Sequence, residues 1–477
     1  MKNFSRLLIA AAAGLQVAHS LTLDVASPDS IRRAASTIAH GLMNYYNNNK
    51  TDTVAYEIGT FSPPLAIWYW WEAGAAWGGL IDYWAYTGDT TYVETVSQAL
   101  VAQRGENNDF MPSFYAGSMG NDDQAFWACA ALSALEYGFP EPPNGTAGNP
   151  TWQSLSEAVF NNLVRRWNTT QCAGGLKWQV FPQNPGFDYK QTISNAGFFQ
   201  ISARLARFTG NATYYEWAEK TWDWLTTIGL TTPAGEVFDG SDDLLNCTEL
   251  NQIEWTYNSG MMLYGAAALY NYTNGSALWA DRTTALLNRA ESVFFNALEN
   301  STGIMIEQAC EPYYTCNNDQ WSFKAYLARW MGKTAILAPF TRAAIMPLLT
   351  SSAQAAAKAC SGPSDGVTCG ARWYLDAFDG TYGIGQQLSA LEVTQALLID
   401  EAPPLKKGSE VVIATSATAS PTSVITSLAS ASATVVQQTP LPPAKTNAAA
   451  VAANPTEGAA RGLWIAGGLA LGAARLL

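Results

Sequence analysis

The chain of 477 residues contains very little histidine, and this scarcity excludes several kinds of catalytic site. There are two histidines; His19 lies in a segment that we expect to be removed, which leaves His40 in the mature chain. A Ser-His-Asp site needs a histidine beside its nucleophile, and many zinc sites use several. His40 lies within the helical pattern IRRAASTIAHGLMNYY, so we interpret it as structural. Acid–base chemistry therefore falls mostly to carboxyl groups, and we expect neither a metal nor a cofactor.

Charged residues are also scarce, and basic ones most of all. They make up 14% of the chain, whereas roughly 25% is usual for soluble proteins. Lys and Arg number 26 against 39 Asp and Glu, a formal charge of −13. Such an acidic chain lacks the electrostatic footprint of a nucleic-acid-binding protein, so we predict no nucleic acid partner. Aromatic residues are abundant, with 18 Trp, 21 Tyr and 18 Phe. This surplus suits a carbohydrate-binding cleft, but a large helical core would also account for it.

The N-terminus has the pattern of a secretory signal peptide. Lys2 and Arg6 precede an apolar run, and Ala18-His19-Ser20 supplies the small residues of a cleavage site. Eight Asn-x-Ser/Thr sequons agree with secretion, beginning at Asn49, Asn144, Asn168, Asn211, Asn246, Asn271, Asn274 and Asn300.

The C-terminus has the pattern of a GPI-attachment signal. A stretch rich in Ser, Thr, Ala and Pro is followed by small residues at Asn447, a polar spacer and the apolar tail GLWIAGGLALGAARLL. The tail is short for a transmembrane helix and contains Arg475, so we favour a GPI anchor on the outer face of the plasma membrane or in the cell wall. The predicted divisions are a signal peptide (1–20), a catalytic domain (21–401), a linker (402–446) and the GPI signal (447–477).

Seven cysteines in a secreted chain indicate three disulfides and one free thiol. Cys129 lies in the apolar segment AFWACAALSALEY and is the expected free cysteine. The six others allow fifteen connectivities. Proximity in the sequence favours the pairs Cys310–Cys316 and Cys360–Cys369, which leaves Cys172–Cys247.

Between about residues 28 and 400, twelve segments show helical periodicity, and strand patterns are nearly absent. Breaks at Gly88, Gly148, Gly210 and Gly275 recur at intervals of about 60 residues, the length of one helical hairpin. Such regular spacing predicts a repeat architecture. The predicted segments start near Ser30, Pro64, Thr91, Asp122, Trp152, Lys190, Thr213, Glu254, Ser276, Asp319, Thr334 and Gln386.

Every second segment is apolar on all sides, as in GAAWGGLIDYW and SGMMLYGAAALY, which is typical of a buried helix. Six hairpins, each with one buried helix, could form an open solenoid or close into a toroid. The alternation favours an all-α fold, an (α/α)6 toroid with six inner helices. The N-termini of those helices would share one pole. They carry polar and aromatic residues, which predicts a cleft there: SPPLAIWYWWE, GNDDQAFW, FDYKQTISN, NQIEWTYNSG, NNDQWSFK and YGIGQQ.

The fourth segment opens with two consecutive carboxylates, Asp122 and Asp123. Helix capping explains one Asp at such a position but explains two less well. Retaining glycosidases hold two carboxyl groups about 5–5.5 Å apart, and inverting ones about 6.5–9.5 Å apart. Neighbours on a helix have Cα atoms about 3.8 Å apart, which suits the shorter separation. Mutual repulsion would also keep one carboxyl protonated. The pair therefore predicts a retaining glycosidase. A second pair, Asp242-Asp243, is interpreted as a solvated turn.

The chain resembles glycoside hydrolase family 76, and within it the fungal GPI-anchored mannan endo-1,6-alpha-mannosidases of the defective cell wall and defective filamentous growth type. The resemblance spans about residues 28–400 and rests on GNDDQAFW, WWEAGAAWGGLIDYWAYTGDT, YKQTISNAGFFQISARLARFTGN, EWTYNSGMMLYGAAALYN, NDQWSFKAYLARW and DGTYGIGQQLSALEVTQ.

This resemblance implies a toroid that acts on α-1,6-linked mannose, with Asp122 as nucleophile and Asp123 as general acid/base. It also implies transglycosylation: the mannose core of a GPI glycan, or α-1,6-mannan, is cleaved and transferred to a β-glucan acceptor of the wall.

Other residues at the predicted pole are candidates for binding the substrate. Aromatic rings could stack on sugars or could belong to the core, namely Trp71, Trp127, Trp255 and Tyr257. Polar side chains could bind hydroxyl groups, namely Asn121, Asn195, Asn258, Asp319 and Lys324. Two alternatives to an enzyme stay open: a catalytically silent, wall-anchored mannan-binding protein, and a helical scaffold for protein partners. Both carboxylates are intact, which favours the enzyme.

Overall fold

The computed structural model describes residues 20–61, 69–142, 148–296, 298, 301–362 and 366–408. Some predicted features lie outside them: residues 1–19, the sequons at Asn144 and Asn300, residues 409–446 of the linker, and the GPI signal with Asn447. The described residues contain thirteen α-helices, which are α1 (Pro28–Met43), α2 (Trp70–Thr87), α3 (Val93–Ala102), α4 (Ser113–Ala116), α5 (Asn121–Tyr137), α6 (Trp152–Arg166), α7 (Thr192–Thr209), α8 (Ala212–Ile228), α9 (Thr256–Tyr272), α10 (Ala277–Phe294), α11 (Phe323–Leu337), α12 (Arg342–Ala359) and α13 (Ile384–Gln395).

Twelve of these helices form six hairpins, and α4 is a single extra turn between α3 and α5. In each hairpin an outer helix precedes an inner one, and the inner helices are α2, α5, α7, α9, α11 and α13. Each inner helix packs against the next, and α13 packs against α2, which closes the ring. The predicted (α/α)6 toroid is therefore confirmed. Residues at two predicted breaks, Gly88 and Gly210, have φ values of 76° and 73° and end α2 and α7 in the left-handed conformation that glycine adopts freely.

Inner helices pack closely because small residues lie where they cross. A Cβ atom at Gly260 of α9 would lie 2.9 Å from the Cα atom of Leu327 in α11. A Cβ atom at Gly74 of α2 would lie 2.6 Å from the ring of Trp127 in α5. The side chains of α5, α7, α9, α11 and α13 are almost all buried, as expected for an inner ring.

One prediction about the elements was wrong. The eleventh segment does not begin near Thr334, because that residue lies inside α11; the break follows at Ala338-Pro339, and α12 begins at Arg342. The chain also contains a small antiparallel sheet with β2 (Phe238–Asp242) between β1 (Tyr189–Gln191) and β3 (Leu250–Glu254). Strands of three to five residues are too short to show a clear alternation in the sequence.

Buried ion pairs join the inner helices across the interior of the ring. Lys333 of α11 contacts Asp82 of α2 at 2.7 Å, and Arg204 of α7 contacts Glu136 of α5 at 2.8 Å. All four side chains are almost fully buried, so each charge depends on its partner. These four residues lie in the second halves of their helices and fill the toroid away from the pole that carries the Asp pair.

The three predicted disulfides are present, with S–S distances of 2.02 Å for Cys172–Cys247, 1.97 Å for Cys310–Cys316 and 2.04 Å for Cys360–Cys369. Cys129 is free and buried, as predicted.

The chain continues to pack beyond residue 401. Leu405 is buried, and the Lys406 amide donates to the Glu136 carbonyl at 2.7 Å. The packed body of the described chain thus extends at least to Lys406.

Within the described ranges, no single helix is long and apolar enough to cross a membrane. The segments Gln320–Leu337 and Pro339–Ala359 would together be long and apolar enough to cross a membrane, judged by length and composition alone. The chain bends by 119° between them.

Candidate active site

Asp122 and Asp123 lie in the first turn of α5, at the pole where the inner helices begin. The chain before them is held by a neighbouring segment: the Asn121 amide donates to the Trp178 carbonyl at 2.8 Å, and the Val180 amide donates to the Met119 carbonyl at 3.1 Å. Asp122 and Asp123 are partly exposed as whole residues, but the Oδ1 atom of Asp122 is buried. The predicted pair is therefore held in a rigid setting at this pole.

The two carboxyl groups have different partners. Asp123 accepts a hydrogen bond from the Gly120 amide at 2.7 Å, which is the bond expected of a helix cap. Asp122 accepts a hydrogen bond from the indole N–H of Trp178 at 3.1 Å, and its Oδ1 atom has no hydrogen-bond partner among the described residues. Capping therefore accounts for the contact of Asp123, whereas the contact of Asp122 with the Trp178 indole joins the helix to a neighbouring segment.

Gly120 leaves the space that the Asp122 carboxylate occupies. A Cβ atom at residue 120 would lie 2.3 Å from Oδ1 of Asp122 and 3.2 Å from the indole nitrogen of Trp178. A larger residue there would displace the carboxylate or its indole partner. The position of the Asp122 carboxylate thus requires a residue without a side chain at position 120, which explains the glycine in GNDDQ.

Loss of water around the two groups raises both of their pKa values. Burial raises the pKa of Asp122 to about 7, and the charge of Asp319 adds to the rise. Burial also raises the pKa of Asp123 well above its usual value, and the charges of Asp122 and Asp319 act in the same direction. Because the two neighbouring carboxyl groups repel each other when both are ionised, the pair holds one proton to a higher pH than two separate carboxyl groups would.

Asp319 brings a third carboxyl group to the same pole. It lies just before α11 and accepts a hydrogen bond from the indole N–H of Trp71 at 3.1 Å. Burial raises the pKa of Asp319 to about 6. Burial also raises the pKa of Glu72 well above its usual value, and the charge of Asp319 adds to that rise. Two of the predicted binding residues, Trp71 and Asp319, therefore contact each other near the Asp pair.

An aromatic floor lies beneath these carboxyl groups, formed by Trp71 of α2, Phe126 of α5 and Tyr326 of α11. Ring centroids are 4.6 Å apart for Trp71 and Phe126, 4.9 Å for Phe126 and Tyr326, and 5.6 Å for Trp71 and Tyr326. Phe126 is one helical turn from Asp122. Residues of opposite inner helices thus meet in the interior of the toroid, where these rings are buried.

Tyr257 and Trp255, both predicted, lie at the start of α9. The Tyr257 ring stacks on Phe323 with centroids 3.8 Å apart and an interplanar angle of 7°. Burial raises the pKa of Tyr257, and the charges of Asp239, Asp122, Asp319 and Glu307 add to the rise. Trp255 packs edge-on against Phe323 and is partly exposed.

The small sheet contributes residues that the sequence did not reveal. Asp239 of β2 accepts hydrogen bonds from the Tyr189 hydroxyl at 2.6 Å and from the Asn251 amide at 3.0 Å. Burial raises the pKa of Asp239, and hydrogen bonds from Tyr189, Trp255, Gln191 and Asn251 oppose the rise. Trp178 was also missed. Neither Asp239 nor Trp178 lies in a sequence motif, because both segments look like loops in the sequence. Asp239 does belong to the acidic run FDGSDD.

The interpretation of Asp242-Asp243 as a solvated turn was wrong for Asp243. Its side chain is fully buried and contacts the Lys177 ammonium group at 2.5 Å. Asp242 is partly exposed and accepts a hydrogen bond from the Leu244 amide at 2.8 Å. The ion pair between Asp243 and Lys177 therefore holds the loop that carries Trp178 in place.

Besides Trp71 and Tyr257, five more predicted binding residues are buried. Trp127 is fully buried and stacks on Trp70 and Phe110, so neither ring face is free for a sugar. Asn195 bonds both the amide and the carbonyl of Leu176, at 2.7 and 3.0 Å.

The other three are buried as well. Asn121 donates to the Lys177 carbonyl and accepts from Arg166, both at 2.9 Å. Lys324 pairs with Glu311 at 2.8 Å. Asn258 is fully buried, and its side-chain amide has no hydrogen-bond partner within the described residues. Contacts with loop residues are therefore the role of Asn121, Asn195 and Lys324, which help to position the site without contacting a ligand.

Comparison with known proteins yields one family. The profile described as Glycosyl hydrolase family 76 matches residues 30–409. Mannan endo-1,6-alpha-mannosidase DCW1 of Candida glabrata is 47% identical over 389 residues, which cover 80% of this chain and 83% of that protein. Mannan endo-1,6-alpha-mannosidase DFG5 of Saccharomyces cerevisiae is 44% identical over 387 residues, 81% of each chain.

A solved structure has the same architecture. The crystal structure of Dfg5 from Chaetomium thermophilum in complex with glucosamine superposes with a TM-score of 0.76 at 37% identity, covering 82% of this chain and 95% of that one. The alpha-1,6-mannanase GH76A of Salegentibacter, in an inactive variant with alpha-1,6-mannotriose, is similar in fold, with a TM-score of 0.61 at 18% identity; it covers 77% of this chain and 99% of that one.

Proposed function

This chain belongs to glycosyl hydrolase family 76 and is a glycoside hydrolase, and we propose that it is a retaining endo-1,6-alpha-mannosidase that cleaves α-1,6-mannan or the mannose core of a GPI glycan. The observation that carries the proposal is the Asp122–Asp123 pair, with one carboxyl bonded to an indole and the other to a backbone amide. The relatives at 44–47% identity bear this activity in their names, which supports the choice of substrate.

Each carboxyl group has the environment that its proposed step requires. Asp122 lies beside the Trp178 indole, and as a carboxylate it would attack the anomeric carbon and form a β-mannosyl ester. Asp123 retains its proton and delivers it to the departing glycosidic oxygen. In the second step the Asp123 carboxylate takes the proton of the acceptor hydroxyl, which then displaces Asp122.

The acceptor in that second step can be water or a sugar. We propose that a β-glucan hydroxyl serves as acceptor, so that mannan attached to a GPI glycan is transferred to the wall. The signal peptide pattern, the disulfides and the GPI-attachment pattern support a position on the outer face of the plasma membrane or in the wall. An enzyme at that position would have both polymers within reach.

Incubation with α-1,6-mannotetraose tests the activity. The wild-type chain is expected to shorten the oligosaccharide, and to give longer mixed products when a β-linked glucose oligosaccharide is added. Asp122→Asn and Asp123→Asn should abolish or strongly reduce both reactions. The control is Asp223→Asn, since this residue is 70% exposed on α8. A wild-type chain that binds the oligosaccharide without changing its length would be a mannan-binding protein instead.

Treatment of membranes tests the proposed anchor. A phosphatidylinositol-specific phospholipase should release the full-length protein, and a chain that ends at residue 446 should be secreted in active form. Protein that resists the phospholipase and still contains the peptide of residues 462–477 would be anchored by a transmembrane segment.

A further inference from the structure

Two tyrosines at the pole of the Asp pair are unusually exposed. Tyr313 and Tyr314, which we call the tyrosine platform, are 65% and 69% exposed and lie in the loop between α10 and α11. Tyr382, in the loop before α13, is 56% exposed. Neighbouring exposed aromatic side chains are uncommon on a soluble protein and mark surfaces that bind something.

The tyrosine platform is held firmly although it faces solvent. The Cys310–Cys316 disulfide closes its loop. The Arg372 guanidinium group lies 4.1 Å from the centre of the Tyr314 ring, and Arg372 is itself bonded to Asp379 at 2.8 Å. One face of the Tyr314 ring is therefore supported by protein.

The base of the same loop is anchored in the interior. Glu311 forms an ion pair with Lys324 at 2.8 Å, and both side chains are 1% exposed. The Tyr374 hydroxyl donates to the Glu311 carbonyl at 3.2 Å. A platform fixed in this way binds a ligand with little loss of conformational entropy.

Its place in the chain connects the platform to the catalytic cleft. The loop enters α11 from the pole that bears Asp122, and Asp319 follows Cys316 by three residues. The cleft between them is lined by carboxyl groups, so an anionic partner would be repelled. A neutral polymer that reaches the cleft can pass over the platform.

We infer that the tyrosine platform binds the acceptor, a β-linked glucan chain, outside the catalytic cleft. This inference rests on the proposed transglycosylation. The substituents of a β-linked glucose unit are equatorial, so both faces of its ring present axial C–H groups to an aromatic ring. An α-linked mannose unit has axial oxygens at C1 and C2, one on each face, which hinder the same stacking. The chemistry of the platform therefore fits the acceptor better than the donor.

Calorimetric titration with a β-1,3-linked glucose hexasaccharide tests this site. The tested variant is Tyr313→Ser with Tyr314→Asn, because Tyr314 has φ 58° and asparagine tolerates that conformation. It should bind the hexasaccharide about tenfold more weakly than the wild type. The control is Phe340→Ala, an aromatic residue that is 45% exposed at the opposite pole, and its affinity should stay unchanged. Unchanged melting temperatures verify folding.

A parallel titration with α-1,6-mannotetraose, in chains that also carry Asp122→Asn, identifies the occupant. The affinity for α-1,6-mannotetraose should change less than threefold when Tyr313→Ser and Tyr314→Asn are introduced. An equal loss for both sugars would assign the platform to the mannan donor and overturn the inference, as would a wild-type chain that does not bind the hexasaccharide. Because binding is measured without turnover, a chain that fails to cleave mannan can still pass this test.

Discussion

At the scale of single residues, Asp122 and Asp123 follow each other in the chain but contact different groups. A side-chain indole reaches Asp122, while the backbone of Gly120 reaches Asp123. Burial raises the pKa of both, and the charge of Asp122 raises the pKa of Asp123 further. In the proposed mechanism Asp123 retains the proton and Asp122 is the nucleophile, which is the division of labour that a double displacement needs.

Activated substrates distinguish the two roles. Asp123→Ala should lower turnover of mannan oligosaccharides by about 10²–10⁴-fold, because the leaving sugar then departs without a proton. Much of the rate should return with an aryl α-mannoside whose phenol needs no proton, and added azide should yield the α-mannosyl azide. Asp122→Ala should form no covalent intermediate, as judged by intact mass. A β-mannosyl azide from Asp123→Ala would show that the roles are exchanged.

Asp319 is expected to set the pH range of the reaction. Removing its charge with Asp319→Asn keeps an acceptor for the Trp71 indole but lowers the pKa values of Asp122 and Asp123. Both limbs of the profile of kcat/KM against pH should therefore move to lower pH. A raised KM with unmoved limbs would mean that Asp319 binds substrate without affecting the pair.

The sequence identified part of this site and missed another part for physical reasons. Asp122, Trp71 and Asp319 could be predicted because they begin inner helices at one pole. The same rule also selected Trp127 and Asn195, which are buried. An inner helix has neighbours on every side, so its periodicity does not tell which face borders the cleft.

At the scale of elements, the inner helices depend on glycines where they cross. Gly260→Ala should lower the melting temperature, because the new methyl group would meet the backbone of Leu327 and overpacking costs about 1–3 kcal/mol. The gain in helix propensity, about 1 kcal/mol, offsets part of that cost.

Gly332→Ala is the matched control on α11. Its Cβ atom would lie 3.3 Å from the nearest atoms, which are side-chain atoms of Ala396 and Ile399. We expect this variant to melt at or above the wild-type temperature. Equal destabilisation by the two substitutions would mean that the spacing of α9 and α11 is not set by Gly260.

Helices were easier to predict than the segments between them. Gly88 and Gly210 mark helix ends because glycine adopts positive φ without strain. The break between α11 and α12 was misplaced because KTAILAPFT continues the apolar pattern up to Pro339. The sheet was missed because its pairing joins segments far apart in the chain, such as Gln191 with Gly240.

At the scale of the whole molecule, the toroid confines several carboxyl groups, among them Asp122, Asp319 and the fully buried Glu307, in a region with little water. Burial is the main cause that raises the pKa of Asp122 to about 7, of Asp319 to about 6 and of Glu307 to about 8. A carboxyl whose pKa is raised by folding favours the folded state at low pH, where it is protonated in both states. That contribution is lost as the pH rises through the raised value.

The folded protein should therefore melt at a higher temperature at pH 5.5 than at pH 8.5. Glu307→Gln should reduce this difference, because an amide keeps acceptor contact with Thr256 without ionising. Asp223→Asn, at an exposed position, should leave the difference unchanged. Differential scanning calorimetry at several pH values measures it. A melting temperature that rises steadily from pH 5.5 to 8.5 would contradict the assigned protonation states.

The most direct test of Asp122 and Asp123 as a retaining pair is the configuration of the first product released from α-1,6-mannotetraose. Proton NMR at early times follows the anomeric hydrogen of the newly formed reducing end. Two displacements at the anomeric carbon predict that the α-anomer forms first and that the β-anomer grows only by mutarotation. If the β-anomer forms first, a single displacement by water has occurred and the assignment of Asp122 as nucleophile is wrong.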